Sequence, residues 1–467
     1  MRIIPVSASD RIEKDSLGEV RVAAGALWGA QTQRAADNFR IGSRQTSAGL
    51  IRAIALVKWA AAETNGEIGE LPTPVAQAIA AAALEVAEGG HAEQFPLGVF
   101  QTGSGTSTNM NVNEVVANLA ARRLGAPVHA NDHVNRCQSS NDVIPTAIHV
   151  AAALGVRDVL LPAVVALADA IGAKAAVVGG QVKPGRTHLM DALPITVGQE
   201  MGAWRSQLID ARARIEACRE RLHRVALGGT AVGTGVNAHP QFAARAIARL
   251  AARTSIEFTG APDRFASLAA QDAAVELSGS LRGLAVVLLK IANDLRWMNS
   301  GPLAGLAEIA LPALQPGSSI MPGKVNPVIP EAVAMAAIVV MARDMAVGIA
   351  GASGNFQLNV MLPLIADGVL ESIGLLADSA TAFAERVIPG FTVNTARISE
   401  SLARNPMLLT ALTPRIGYDR AAAIAKRAAA ESRPVLDIAV EETGLPRDEL
   451  ARLLDPARLA RAKVPDP

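Results

Sequence analysis

The chain has 467 residues and a formal net charge of +1, with 44 Lys and Arg set against 43 Asp and Glu. That balance excludes an electrostatic case for nucleic acid or an anionic membrane, and the length suffices for a large core in two or three domains. Half of the residues are hydrophobic, yet only 3% are aromatic and 19% charged, so the expected core is aliphatic, Ala-rich and helical.

Met1 to Asp10 has no apolar stretch behind a basic start, so no signal peptide is expected. Cys137 and Cys218, the two cysteines of the chain, read as reduced core thiols of a cytoplasmic protein. Residues 12–40 alternate short polar and apolar pieces and read as an extended, loop-rich opening. Helical periodicity is predicted from Leu50 to Asn65 and from Thr73 to Glu88, with Pro72 and Pro74 at the break.

From Gln101 to Glu114, glycines and hydroxyls (Ser104, Gly105 and Thr106 among them) lead directly into a helix. The free amides at such a helix mouth suit an anion. His129-Ala130-Asn131-Asp132-His133 invites a metal reading. Two His four apart converge only on a helix, however, and Ala130-Asn131-Asp132 reads as a turn, so no metal is expected. Ser139, Ser140 and Asn141 are three consecutive N-cap types, more than capping alone requires.

From Thr146 to about Phe391 the chain is mostly long Ala/Leu/Val-rich helices with rare breaks. One break, Pro184 to Ala192, carries Thr187 and His188. Another, Leu227 to Asn237, is glycine-rich but lacks the Lys-Ser/Thr ending of a phosphate loop and follows no βαβ pattern, which excludes nucleotide binding. The longest apolar run, Ala332 to Ala342, is about half the roughly 20 residues of a spanning helix, so no membrane segment is expected. Beyond residue 396 the predicted helices are short and more charged. The expected domains are therefore 1–142, 143–396 and 397–467.

The stretch from Gly317 to Glu331 organises the rest. Gly317 and Gly323 permit close approaches, Pro322 stiffens the loop, and Asn326 and Pro327 suit the cap and first position of a helix. Ser318, Ser319, Lys324 and Asn326 thus stand at a positive helix end. Together the stretches around 104–106, 139–141, 187–188 and 318–326 offer hydroxyls, amides and a Lys with almost no acid, a site for a small dianion. Such a site suits removal of a proton next to a carboxylate, where charge builds on that carboxylate and needs preorganised donors.

The loop resembles the signature of the fumarase/aspartase superfamily, G-S-S-x-M-P-x-K-x-N, and every fixed position is matched. The segments Ser104-Gly105-Thr106, Gly185-Arg186-Thr187-His188-Leu189, Gly228 to Asn237 and Gly354 to Asn359 also follow the pattern of its class II fumarate hydratases (fumarase C type). Met361-Leu362-Pro363 is a detail more like the aspartases.

The resemblance covers nearly the whole chain. It implies a mainly α, three-domain fumarase/aspartase-like fold whose central long-helix bundle forms the core of a homotetramer, with sites shared by three subunits. It implies reversible hydration of fumarate to (S)-malate, a tricarboxylic acid cycle reaction, by a lyase without metal or cofactor. Ser318, His188 and Glu331 are the implied catalytic residues. Ser104, Gly105, Thr106, Ser139, Ser140, Asn141, Thr187, Ser319, Lys324, Val325 and Asn326 are the implied substrate-binding ones.

A second dicarboxylate site is implied at His129, Ala130, Asn131 and Asp132, where Ala130 replaces the family's usual Pro. The alternatives are an aspartate ammonia-lyase or another lyase of the superfamily, and a structural protein on the lyase fold. Aspartases carry Gln where His188 stands and Ala where Gly229 stands, and no catalytic residue is lost, so the resemblance favours the hydratase.

Overall fold

The computed structural model describes residues 10–461. The expectation about Met1 to Asp10 lies outside them, apart from Asp10. The described chain is mainly α-helical, with four two-stranded sheets and isolated bridges between Gln45 and Gly98 and between Asn355 and Leu358. It divides into two compact units. One contains the chain up to Pro162 together with Arg212–Ala285 and Ala337–Ala377; the other contains Ala163–Ala211, Val286–Ala336 and the chain from Asp378.

The first unit opens with an antiparallel hairpin, Arg11–Asp15 with Gly18–Val22, and a helix at Ala30–Asn38. That helix replaces part of the loop expected over 12–40, and its own sequence hides it. Gly29, its N-cap, supplies no side chain; instead Glu114 accepts from the amides of Gly29, Gln31 and Thr32 and from the Thr32 hydroxyl. A carboxylate from far along the chain does the capping that a local Ser or Asp normally does.

The next two helices fall where periodicity places them, at Ala48–Glu67 and Thr73–Ala87, the first with Ser47 as its cap. Ala48–Glu67 is buried nearly all round, packed against Thr73–Ala87, Ser140–Gly155 and Phe242–Thr254. Helices apolar on every side belong in a core. Between them runs Thr106–Leu124, whose first turn is itself buried.

In the second unit, Val182–Thr187 and Met190–Thr196 form a hairpin. The C-terminal helices, from Thr395–Arg404 to Pro456–Leu459, enclose an aliphatic core of their own around Leu412, Ile424, Ile438 and Leu450. The long helices Val197–Ala217, Asp272–Met298, Val328–Gly351 and Leu362–Ala382 occupy the expected stretch.

By length and composition alone two helical stretches, Ser140–Val178 and Val328–Gly351, are long and apolar enough to cross a membrane, a test that core helices also pass, so the expectation drawn from Ala332 to Ala342 is not overturned. The latter helix simply continues through Arg343 and Asp344. Both are satisfied by the protein: Arg343 pairs with Glu371, and Asp344 with Ser278 and Arg282.

Candidate active site

Each unit carries part of the expected site. In the first, Gly105 caps the Thr106–Leu124 helix at φ 71°, a left-handed conformation that glycine adopts without strain. The Ser104 and Thr106 hydroxyls lie 2.8 Å apart beside this helix mouth, and Gln101 holds the loop by accepting from the Thr108 amide and hydroxyl.

The Ser140–Gly155 helix begins with a full capping box. Ser139 accepts from the Asn141 amide, and Asp142 accepts from the Ser139 amide. Asn141 then donates to the Ala231 carbonyl, and the other oxygen of Asp142 accepts from the amides of Gly228 and Thr230. The glycine-rich stretch 228–231 is thereby tied to the second cradle. Ser140 accepts from Asn109 of the first cradle's helix, so the two helix mouths are joined.

His129 to Asp132 also belong to this unit. Ala130–Val134 forms one wide helical turn, not the open turn expected, so His129 and His133 do approach. Each Nδ1 is already used: His129 accepts from the Asp132 amide and His133 from the His129 amide. Among the described residues no cluster of three or more His, Cys, Asp or Glu is placed to hold a metal ion.

In the second unit the Gly317–Asn326 loop closes on itself. The Gly317 amide donates to the Lys324 carbonyl at 2.8 Å, and the Asn326 side chain donates to the Gly317 carbonyl at 2.8 Å. Asn326 is thus a brace and not the expected N-cap, and the following helix starts at Val328. Inside the loop the Ser318 Oγ accepts from the amides of Ile320 and Met321, at 3.2 and 3.0 Å. Two N–H dipoles on a hydroxyl oxygen lower the cost of its deprotonation. Lys324, Val325, Asn326 and Glu331 line one cavity of about 740 Å³, with Arg296, Asn299 and Asn394 on other walls.

Thr187 and His188 sit at the tip of the Val182–Thr187 hairpin, exposed, and not on that cavity's wall. The two-residue turn is His188-Leu189, with φ 55° and 61°. Such turns normally take Asn-Gly, and each side chain held there costs about 1–3 kcal/mol. The strand is anchored by buried charges. Lys183 pairs with Glu200 at 2.6 Å and Glu308 at 2.8 Å, and Arg186 pairs with Glu308 at 2.6 Å. His188 and Glu331 form no hydrogen bond with one another within the chain.

The comparisons with known proteins show the family. A family model described as lyase matches residues 18–342, and one described as the fumarase C C-terminus matches residues 408–461. A class II fumarate hydratase from Xylella fastidiosa is 57% identical over 461 residues, covering 98% of both chains. The chain belongs to the class II fumarate hydratase family. A second such enzyme, from Pseudomonas aeruginosa, is 55% identical over 449 residues, covering 96% of this chain and 98% of its own. The crystal structure of class II fumarase from Schistosoma mansoni matches with a TM-score of 0.93 at 36% identity, over 97% of this chain and 99% of that one.

Some polar groups of this fumarate hydratase family member escape sequence reading. Lys58, Glu114 and Lys183 sit in apolar or β-like segments where a charged residue reads as solvated surface, yet all three are buried. Asp142 carried a signal, because an acid three residues after Ser139 marks a capping box.

Proposed function

We propose that this chain catalyses the reversible anti addition of water to fumarate, giving (S)-malate. The observation that carries the proposal is the self-closed Gly317–Asn326 loop, with two amides on the Ser318 hydroxyl and Lys324, Asn326 and Glu331 gathered at one cavity. Lys324 and Asn326 hold one substrate carboxylate, together with donors from the cradles at Ser104 to Thr106, Ser139 to Asn141 and Thr187. In the malate-to-fumarate direction Ser318, as alkoxide, takes the proton from the carbon next to that carboxylate. The electron pair moves into the carboxylate, which becomes an aci-carboxylate dianion stabilised by the fixed donors. As the double bond forms, His188, supported by Glu331, delivers a proton to the departing hydroxyl on the opposite face.

We further propose a homotetramer with each site drawn from three subunits. Met335, Ile338, Val339, Met345 and Ile349 lie exposed along the Val328–Gly351 helix, an apolar face suited to another copy. Such an assembly also supplies the His188–Glu331 pairing that one chain does not make. Inactive His188→Asn protein mixed with inactive Lys324→Ala protein regains part of the activity after subunit exchange; a mixture that stays inactive despite exchange refutes shared sites. Both cysteines are free and buried, which supports a cytoplasmic setting.

The stereochemistry tests the reaction itself. Hydration of fumarate in heavy water should give a single diastereomer of malate labelled beside the carbinol carbon, read from its proton coupling. A mixture of diastereomers, or the single diastereomer that syn addition gives, excludes the anti course.

A further inference from the structure

Lys58 lies in the middle of the Ala48–Glu67 helix and is fully buried, at 0% exposure. No carboxylate touches its ammonium. Its two acceptors are neutral amides, Asn135 Oδ1 at 2.8 Å and Gln138 Oε1 at 2.9 Å. A buried cation without a contacting anion is costly, and an apolar residue of similar length would fill the same slot. What distinguishes Lys58 is where its two bonds lead.

Asn135 and Gln138 bracket the turn that delivers the chain to Ser139. The turn is strained, with Cys137 at φ 62°. Its side chains close it: Asn135 donates to the Gln138 carbonyl, and Gln138 donates to the carbonyls of Val134 and Arg136. The Asn135 oxygen held by Lys58 also accepts from Asn109 and Asn113 of the Thr106–Leu124 helix. One ammonium therefore ties three elements together: the central helix, the helix opened by Ser104 to Thr106, and the turn that presents Ser139 to Asn141.

We propose that Lys58 is a positioning residue that clamps the 135–138 turn and so sets the spacing of the two helix mouths that receive the substrate's carboxylates. This rests on the dicarboxylate reading above and adds to it a group that never meets the substrate. The clamp is also sensitive to pH. Burial lowers the Lys58 ammonium to about 7, partly offset by Asp142, the one group that acts on it by charge. Burial raises the Asp142 carboxyl to about 6 despite its three amide donors and Lys58. The cationic clamp is therefore complete below neutrality and is lost as the pH rises through about 7.

The test compares the parent protein with Lys58→Met, which keeps length and removes the charge. Fumarate hydration gives kcat and KM, calorimetry gives the Kd of the unreactive dicarboxylate succinate, and melting reports the fold. Lys58→Met should melt at or above the parent temperature, with KM and the succinate Kd raised about tenfold or more and kcat within about threefold, as expected for displaced binding groups. The step in the parent's succinate affinity near neutral pH should vanish in the variant.

A folded Lys58→Met protein with KM and Kd within twofold of the parent, or with the pH step intact, overturns the clamp. Should Lys58→Met not fold, Gln138→Leu removes one acceptor from the half-buried turn and leaves the Lys58 slot filled. Its succinate Kd should rise about threefold or more, and an unchanged value overturns the proposal equally. A parent protein that binds succinate yet does not hydrate fumarate refutes the functional reading instead, while the effect of Lys58→Met on succinate still tests the clamp.

Discussion

Gly317→Ala perturbs the loop at its tightest point. A Cβ there would lie 2.4 Å from the Lys324 carbonyl oxygen, 2.9 Å from its carbonyl carbon and 3.0 Å from the Asn326 nitrogen. All three are backbone atoms that cannot swing aside. Restoring ordinary contact of about 3.5 Å requires the two sides of the loop to part by about 1 Å. Two bonds fail with that movement, Gly317 N–H to Lys324 and Asn326 to Gly317, at a net cost of about 1–3 kcal/mol for the closed loop.

Ile320 and Met321 are exposed, so the loss is local opening and not unfolding of the core. A displacement of about 1 Å between Ser318 and Lys324 lowers turnover by roughly 10²-fold. The assay is the initial rate of fumarate formation from malate, with the melting temperature and the rate of loop proteolysis measured alongside. The expected variant melts like the parent, is cut faster in the loop and is about a hundredfold slower. A correctly folded Gly317→Ala protein with more than a third of parental turnover refutes the reasoning.

Ser318→Ala should lower turnover by roughly 10³-fold or more, as for a lost catalytic group, while succinate affinity measured by calorimetry stays near the parent value. Glu331→Gln should slow turnover by about 10²–10⁴-fold and change the shape of the pH–rate curve; an unchanged shape shows that His188 and Glu331 do not act as a unit. Glu114→Gln should destabilise the protein by about 1–3 kcal/mol, because an NH₂ group must then face one of the backbone amides that Glu114 caps. Burial holds the Glu114 carboxyl above its usual range, so the ionised form is disfavoured in the fold. The parent should lose stability as pH rises from the unfolded carboxyl value through the raised one, and the Gln variant should not. The melting deficit of the variant therefore shrinks toward neutral pH, and a deficit that grows contradicts the sign.

Much of this was legible because small residues announce their backbone. A tight, glycine-bounded loop was readable from Gly317, Gly323 and Pro322, though not its closure, and the helix mouths were readable from Gly105 and Ser139. The aliphatic helices followed from periodicity in a chain nearly free of aromatic residues. Hidden features depend on partners distant in sequence. The Ala30–Asn38 helix is capped by Glu114, some eighty residues away. Asn326 turned from cap to brace because the Gly317 carbonyl competes for its side chain. The His188-Leu189 turn has no turn-forming residue, and its strained backbone coincides with the anchoring of its strand by Lys183, Arg186 and Glu308. Lys58 is the buried cation of an Ala-rich helix whose other cation, Arg52, is exposed, and only the 135–138 turn gives it a purpose.

The central claim is that these cradles serve a hydratase and not an ammonia-lyase. The most direct test follows fumarate by its ultraviolet absorbance when the purified protein meets (S)-malate and, in a parallel cuvette, aspartate at equal concentration. Steady fumarate formation is expected from malate, and none above background from aspartate. Fumarate formed from aspartate at a comparable or greater rate would contradict that claim.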